Sequence, residues 1–203
     1  MSRIGVIVLA VCAIAAFGVH KRQAAAAGGS AVAADQRAAG LRFAPGVTAG
    51  DQAWIVAAVG AARPEARRLI DEIDGLVEVR TDLAHEQAIG MAEMHGDSAT
   101  IHLDARLLNG ERAVDRGAVV LHELGHVVDF VLVDDAVRQQ MDAAIPRLGT
   151  SAVEERFAET FAKWALNGRV SIAGDGYGIP NPPSLEDWGA PLSRLAIELD
   201  LDG

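Results

Sequence analysis

The sequence predicts a helix-dominated α+β domain with a small mixed sheet. Six segments, which together hold 78 of the 203 residues, have patterns that predict helices. Two short segments alternate in polarity or are rich in β-branched residues, which predicts strands. Half of the 203 residues are hydrophobic, so the chain can bury a core of ordinary size. One compact domain with extra sequence at its ends accounts for this length.

The predicted elements are bounded by residues that start or stop helices and turns. Pro64 suits a first helical turn, Ser151 and Glu154 have the spacing of a capping box, and Asn167-Gly168 is a stop signal. The predicted helices span residues 51–61, 64–73, 113–133, 136–145, 151–166 and, as a short closing helix, 192–201. The predicted strands span residues 76–80 and 99–103. Residues 173–191 are rich in Gly and Pro and are expected to form mostly loop.

The N-terminus carries an almost uncharged apolar run at residues 4–19, which Arg3 precedes. The run is short for a membrane span of about 20 residues, which favours a signal peptide over residues 1–33 that is cleaved after Ala33. The basic residues 20–22 follow the run directly and would suit an uncleaved N-terminal anchor instead. Both interpretations predict a secreted or extracytoplasmic protein, which contacts a membrane only if the anchor is retained.

The rest of the chain is expected to hold an Ala/Gly-rich tether at residues 34–40 and one folded domain at residues 41–203. Residues 1–33 contain three basic and no acidic side chains, so the remainder has 15 basic against 28 acidic residues. Such a negative surface repels phosphate backbones, which excludes nucleic acid as a favoured partner. Cys12 is the single cysteine, so neither a disulfide within the chain nor a cysteine-based zinc ribbon can form.

One motif in the predicted helix 113–133 is typical of metal chemistry. His122, Glu123 and His126 form the pattern His-Glu-x-x-His. Residues four apart lie on the same face of a helix, so both imidazoles can bind one Zn²⁺ ion. Glu123 lies about 100° around the helix, beside the metal, where it can act as general base toward a water molecule. The flanking residues are almost all apolar, and burying these polar groups without a partner would cost several kcal/mol.

A third metal ligand is expected from the predicted helix 151–166. Glu155 and Glu159 are four residues apart and share a face, which suits one metal ligand and one carboxylate that orients a ligand imidazole through its other N–H. Asp129 is another candidate ligand, although it lies a further turn along the first helix and suits a salt bridge better. Gly125 inside the motif indicates either close helix packing or room for substrate.

The two segments His122-Glu-Leu-Gly-His126-Val-Val-Asp129 and Glu155-Arg-Phe-Ala-Glu159-Thr-Phe together resemble the gluzincin peptidases. Among these they are most similar to the catalytic-domain family of anthrax lethal factor and its smaller secreted relatives. The resemblance implies a zincin-like domain with two active-site helices, with Glu155 as third zinc ligand and Glu159 as the orienting carboxylate. It also implies a peptide or protein substrate that lies along an edge strand, for which residues 99–103 are the candidate.

One position departs from that family, which carries a tyrosine seven residues before the ligand glutamate. Leu148 occupies this position here, and Tyr177, His85 and His95 are the candidates to stabilise the transition state in its place. The sequence therefore predicts a zinc-dependent endopeptidase, with a catalytically inactive binding module of the same fold as the alternative. It names neither the substrate, nor a toxin or processing role, nor the oligomeric state.

Overall fold

The fold is a small mixed sheet packed against helices, as the sequence predicts. A computed structural model describes residues 37–82, 88–111, 115–145, 153–168 and 179–202. The strands are β1 (Arg37–Ala38), β2 (Leu41–Phe43), β3 (Val77–Arg80), β4 (Gly90–His95) and β5 (Ser98–Leu103). The helices are α1 (Ala49–Gly60), α2 (Pro64–Glu72), α3 (Arg116–Leu132), α4 (Asp135–Ala143), α5 (Val153–Ala165) and α6 (Leu185–Asp202). The helix-dominated α+β class is thereby confirmed, whereas the predicted segment 1–33 lies outside the described residues.

The strand order in the sheet is β1-β2-β3-β5-β4. The inner strands β2, β3 and β5 run parallel, while β1 and β4 are antiparallel to their neighbours. The prediction that residues 99–103 form an edge strand is therefore wrong. Its backbone is hydrogen-bonded to β3 on one side and to β4 on the other, so among the described strands β4 is the edge on that side of the sheet.

Three strands were not predicted. β1 and β2 form a hairpin through Ala39 and Gly40, whose φ angles of 53° and 75° are those of a tight turn with two left-handed residues. β1 lies inside the predicted tether 34–40, so the described sheet includes residues that precede Leu41. β4 lacks an alternating β-branched pattern, and it pairs with β5 across a turn that contains Gly96, whose φ is 62°.

α1 to α5 begin and end close to the predicted positions, and side chains cap the starts of α1, α3 and α4. Thr48 accepts a hydrogen bond from the backbone N–H of Asp51 at the start of α1, and Asp115 accepts one from Ala118 at the start of α3. At the end of α5, Gly168 has a φ of 69° and donates its N–H to the carbonyl of Lys163 at 2.7 Å. The predicted stop after residue 166 is confirmed.

α6 is longer than predicted. It begins at Leu185 rather than near residue 192, and Pro191 lies inside it. Its start is capped by Ser184, whose hydroxyl accepts a hydrogen bond from the N–H of Asp187 at 3.0 Å. The Gly/Pro composition predicted loop, but burial of Trp188 in the core favours the helix over that local preference.

The core lies between one face of the sheet and the helices. Alternate residues of β3 and β5 point into it, while their neighbours on the opposite face remain partly exposed. α3 packs against α1, α5, β4 and β5, so it is central to the domain. No helix within the described ranges combines the length and apolar character needed to cross a membrane.

Candidate metal centre

The candidate site is built where α3 packs on α5, and Gly125 sets how close the two helices come. A Cβ atom at Gly125 would lie 3.1 Å from Ala158 Cα and 3.1 Å from Phe161 Cδ1, both on α5. A larger residue would therefore push the helices apart. Of the two explanations for this glycine, close helix packing is the one that the contacts support.

This packing brings three predicted residues together. His122 Nε2 on α3 lies 3.2 Å from Glu155 Oε2 on α5, and His126 Nε2 lies 3.6 Å from the same oxygen. The imidazole rings of His122 and His126 are 4.9 Å apart between centroids and nearly perpendicular. The ligand atoms of all three residues lie within 4.8 Å of one another. The sequence prediction that His122, His126 and Glu155 meet at one point is borne out by this geometry.

The arrangement can hold a divalent metal ion. Two imidazole nitrogens and a carboxylate oxygen are a donor set that proteins use for zinc. Ligands bound tetrahedrally at about 2.0–2.1 Å from zinc lie roughly 3.4 Å from one another, close to the two nitrogen–oxygen distances measured here. His126 and Glu155 are partly exposed, whereas His122 is buried, so the group is reached from one side.

Glu123 lies beside the three ligand residues and is almost wholly buried, with 5% of its surface exposed. Burial raises the pKa of its carboxyl group, the charges of His122 and His126 act against that rise, and the charge of Glu155 adds to it. A carboxylate with a raised pKa takes up a proton more readily, which is what a general base does.

Glu155 behaves oppositely in the same site. Burial alone would raise its pKa, but hydrogen bonds from His122 and His126 outweigh burial and hold that pKa well below its usual range. Burial alone would lower the pKa of His126, but Glu155 and the nearby carboxylates outweigh burial, so the pKa of His126 is raised. The two glutamates of the site thus differ in how easily they are protonated, and Glu155 is the one that stays ionised.

Two other predicted residues have partners away from the ligand group. Asp129 Oδ1 accepts a hydrogen bond from Arg138 Nε at 2.6 Å, so this residue forms a salt bridge, as its spacing suggested. Glu159 Oε1 lies 2.7 Å from Lys163 Nζ, and both side chains are buried. Its predicted role of orienting an imidazole stays a prediction, because the contact seen for Glu159 is with this lysine.

Of the three candidates for transition-state stabilisation, the structure describes only His95. Tyr177 and His85 lie outside the described residues, as does Leu148. His95 ends β4, is largely exposed, and lies 3.6 Å from Glu93. β4 meets Glu123 at its first residue, Gly90, so His95 is roughly 16 Å further along the strand. That distance does not favour His95 as a catalytic group.

Sequence reasoning missed two contacts made by residues of α3. Gly90 on β4 lies directly against the carboxylate of Glu123, and Arg138 on α4 holds the end of α3 through Asp129. Neither residue belongs to a motif. Each acts through a contact between elements distant in the chain, so no local pattern could have identified it.

Comparison with protein-family models, with curated proteins and with solved structures finds no match to this chain. The geometry of the site is therefore the basis from which a function is inferred.

Proposed function

We propose that this chain is a zinc-dependent endopeptidase of the gluzincin type, in which Glu123 acts as general base. The observation that supports the proposal is the convergence of His122, His126 and Glu155 from two helices, with a buried glutamate beside them. A third ligand that comes from a second helix is what the resemblance to gluzincins implies. The apolar run at residues 4–19 supports a location outside the cytoplasm as part of this proposal.

The chain's own residues have distinct parts in this chemistry. His122, His126 and Glu155 would hold the zinc ion, which when bound supplies Lewis acidity that acidifies water and polarises a carbonyl group. Glu123 accepts the proton of the attacking water and delivers it to the amine that leaves. Burial of the Glu123 carboxyl group favours its protonated form and so assists the first of these transfers.

The position of β4 supports an extended peptide as substrate. β4 has a described strand on one side only, and its first residue lies against Glu123. An extended chain that adds to a sheet edge gains backbone hydrogen bonds along its length. A peptide on β4 would therefore pass close to the general base, and β4 replaces residues 99–103 as the candidate substrate strand.

The test is the variant Glu123→Gln, which keeps the shape of the side chain and removes its basicity. We expect the purified variant to retain zinc as the wild type does and to lose hydrolysis of a peptide library. Glu72→Gln on the exposed face of α2 is the matched control and should cleave as the wild type does. Cleavage by Glu123→Gln at the wild-type rate would refute the mechanism. A wild type that holds zinc and cleaves no peptide would favour the alternative, an inactive binding module.

A further inference from the structure

Gly90 lies where a side chain would collide with the proposed general base. It is the first residue of β4 and pairs with Leu103 of β5. A Cβ atom built on Gly90 would overlap Glu123 Oε1 and would lie 3.0 Å from both Cδ and Cγ of that side chain. The carboxyl group of Glu123 thus occupies the space that a side chain at position 90 would need.

On this face of β4, the lack of room for a side chain is specific to position 90. Residues two apart on a strand share a face, so Gly90, Ala92 and Met94 face the same way. Ala92 and Met94 pack against the core, and they carry side chains. The strand therefore has room for a methyl group or more along this face, except beside Glu123.

The backbone of Gly90 does not itself require glycine. Its φ lies outside the left-handed region, unlike that of Gly96 in the following turn. Alanine at position 90 would thus meet no backbone strain, and its effect would come from the collision with Glu123. Gly125 and Gly189 are different, because a side chain at either position would collide with packed residues and not with Glu123. A Cβ at Gly125 would meet Ala158 and Phe161, and a Cβ at Gly189 would meet the Trp164 ring.

We propose that Gly90 is a positioning residue for Glu123: the missing side chain on β4 fixes where the carboxylate of the general base lies. The inference rests on the proposed function, and it adds Gly90 to the residues that determine the rate of hydrolysis. A carboxylate pushed aside by a methyl group would still be present and still ionisable, but it would be misplaced relative to the attacking water. Misplacement by about 1 Å can lower a rate about 100-fold.

The experiment is Gly90→Ala in the zinc-loaded protein, with Gly60→Ala as control because a Cβ at Gly60 meets nothing within 4 Å. We expect Gly90→Ala to keep the wild-type zinc content, to change KM by less than about threefold, and to lower kcat by about 10- to 100-fold. A crystal structure of the variant should show the Glu123 carboxylate displaced. Wild-type kcat, or an undisplaced carboxylate, would overturn the inference.

A second background separates positioning from general damage. Glu123→Asp shortens the side chain by one methylene and removes the oxygen that a Cβ at position 90 would overlap, so that only the contact with Cγ at 3.0 Å remains. We expect Gly90→Ala to cost less than about threefold in kcat when added to Glu123→Asp, because the overlap with the carboxylate is then relieved. An equal loss in both backgrounds would contradict the proposal.

Two further outcomes remain distinguishable. If Gly90→Ala does not fold, the double variant Gly90→Ala with Glu123→Ala must fold, since no carboxylate is left to collide with. Failure of that double variant would show that position 90 meets something other than Glu123 and would overturn the inference. If the wild type cleaves no peptide, the proposed function fails, whereas the displacement of Glu123 in the crystal structure still tests the role of Gly90.

Discussion

Glu155 Oε2 lies 3.2 Å from His122 Nε2, although the two residues are 33 positions apart in the chain. The contact exists because α3 and α5 approach closely at Gly125, which lies between the two histidines in the sequence. The candidate metal site therefore depends on the packing between the two helices as much as on the His-Glu-x-x-His motif. Substitutions that change this packing should change metal binding.

We expect Gly125→Ala to lower the free energy of unfolding by about 1–3 kcal/mol, because its Cβ would press on Ala158 and Phe161. The loss should appear even though alanine is favoured over glycine in a helix by about 1 kcal/mol. Urea denaturation of the zinc-free protein measures it, and Gly60→Ala, which meets nothing within 4 Å, should be neutral or stabilising. Equal stability of Gly125→Ala and wild type would show that the helices are not in tight contact.

We expect Asp142→Asn to stabilise the protein at neutral pH and to leave it unchanged in acid. Burial raises the pKa of Asp142 from 3.8 to about 6, despite the opposing charge of Arg156 at 3.8 Å. Because the pKa in the folded protein lies above that in the unfolded chain, the fold favours the protonated acid. Its contribution to stability is present below about pH 4 and is lost as the pH rises through about 6.

Melting curves of wild type and Asp142→Asn between about pH 4 and pH 8 test this prediction. The quantity to compare is the difference in free energy of unfolding between the two proteins at each pH. The variant should gain up to about 3 kcal/mol relative to wild type above pH 6. A pH-independent difference, or a variant that is less stable at neutral pH, would show that the ionised Asp142 is well paired with Arg156.

We expect Arg138→Met to destabilise the fold by about 2–4 kcal/mol, because it leaves the buried carboxylate of Asp129 without its partner. Arg138 also donates to the backbone carbonyl of Asp129 at 2.7 Å, so α3 loses a cap at its end. Chemical denaturation is the measurement. The double variant with Asp129→Asn should be more stable than Arg138→Met alone, and additive losses would argue against this coupling.

We expect Glu159→Gln to lower stability but to change zinc affinity by less than about threefold, because Glu159 is paired with Lys163 rather than with a ligand. Lys163 in turn donates to the carbonyl of Ile179 at 2.8 Å, so the pair fixes the chain that precedes α6. Competition with a zinc-binding dye gives the affinity. A loss of about 10- to 100-fold would instead support the role of orienting a ligand imidazole.

The elements that the sequence predicted well are those whose signals are local. The start of α2 at Pro64 and the stop at Gly168 act within one turn of their own helix. The spacing of His122 and His126 is local in the same sense, because helical geometry alone places the two imidazoles on one face.

The rest depends on contacts between distant segments. β4 is a strand because β5 pairs with it, and its own residues carry no strong strand pattern. Pro191 lies within α6 because burial of Trp188 outweighs a local preference for loop. Gly90 lies close to Glu123 only because α3 packs on β4, so the sequence alone could not predict this contact.

The most direct test of the metal centre is the zinc content of the purified protein, compared between wild type, Glu155→Gln and Glu154→Gln. Glu154 is the neighbouring, exposed glutamate, so its variant controls for loss of one negative charge on α5. After dialysis against buffered zinc, wild type and Glu154→Gln should each retain one ion per chain, and Glu155→Gln should lose it. Equal zinc content in all three proteins, or none in the wild type, would contradict the account.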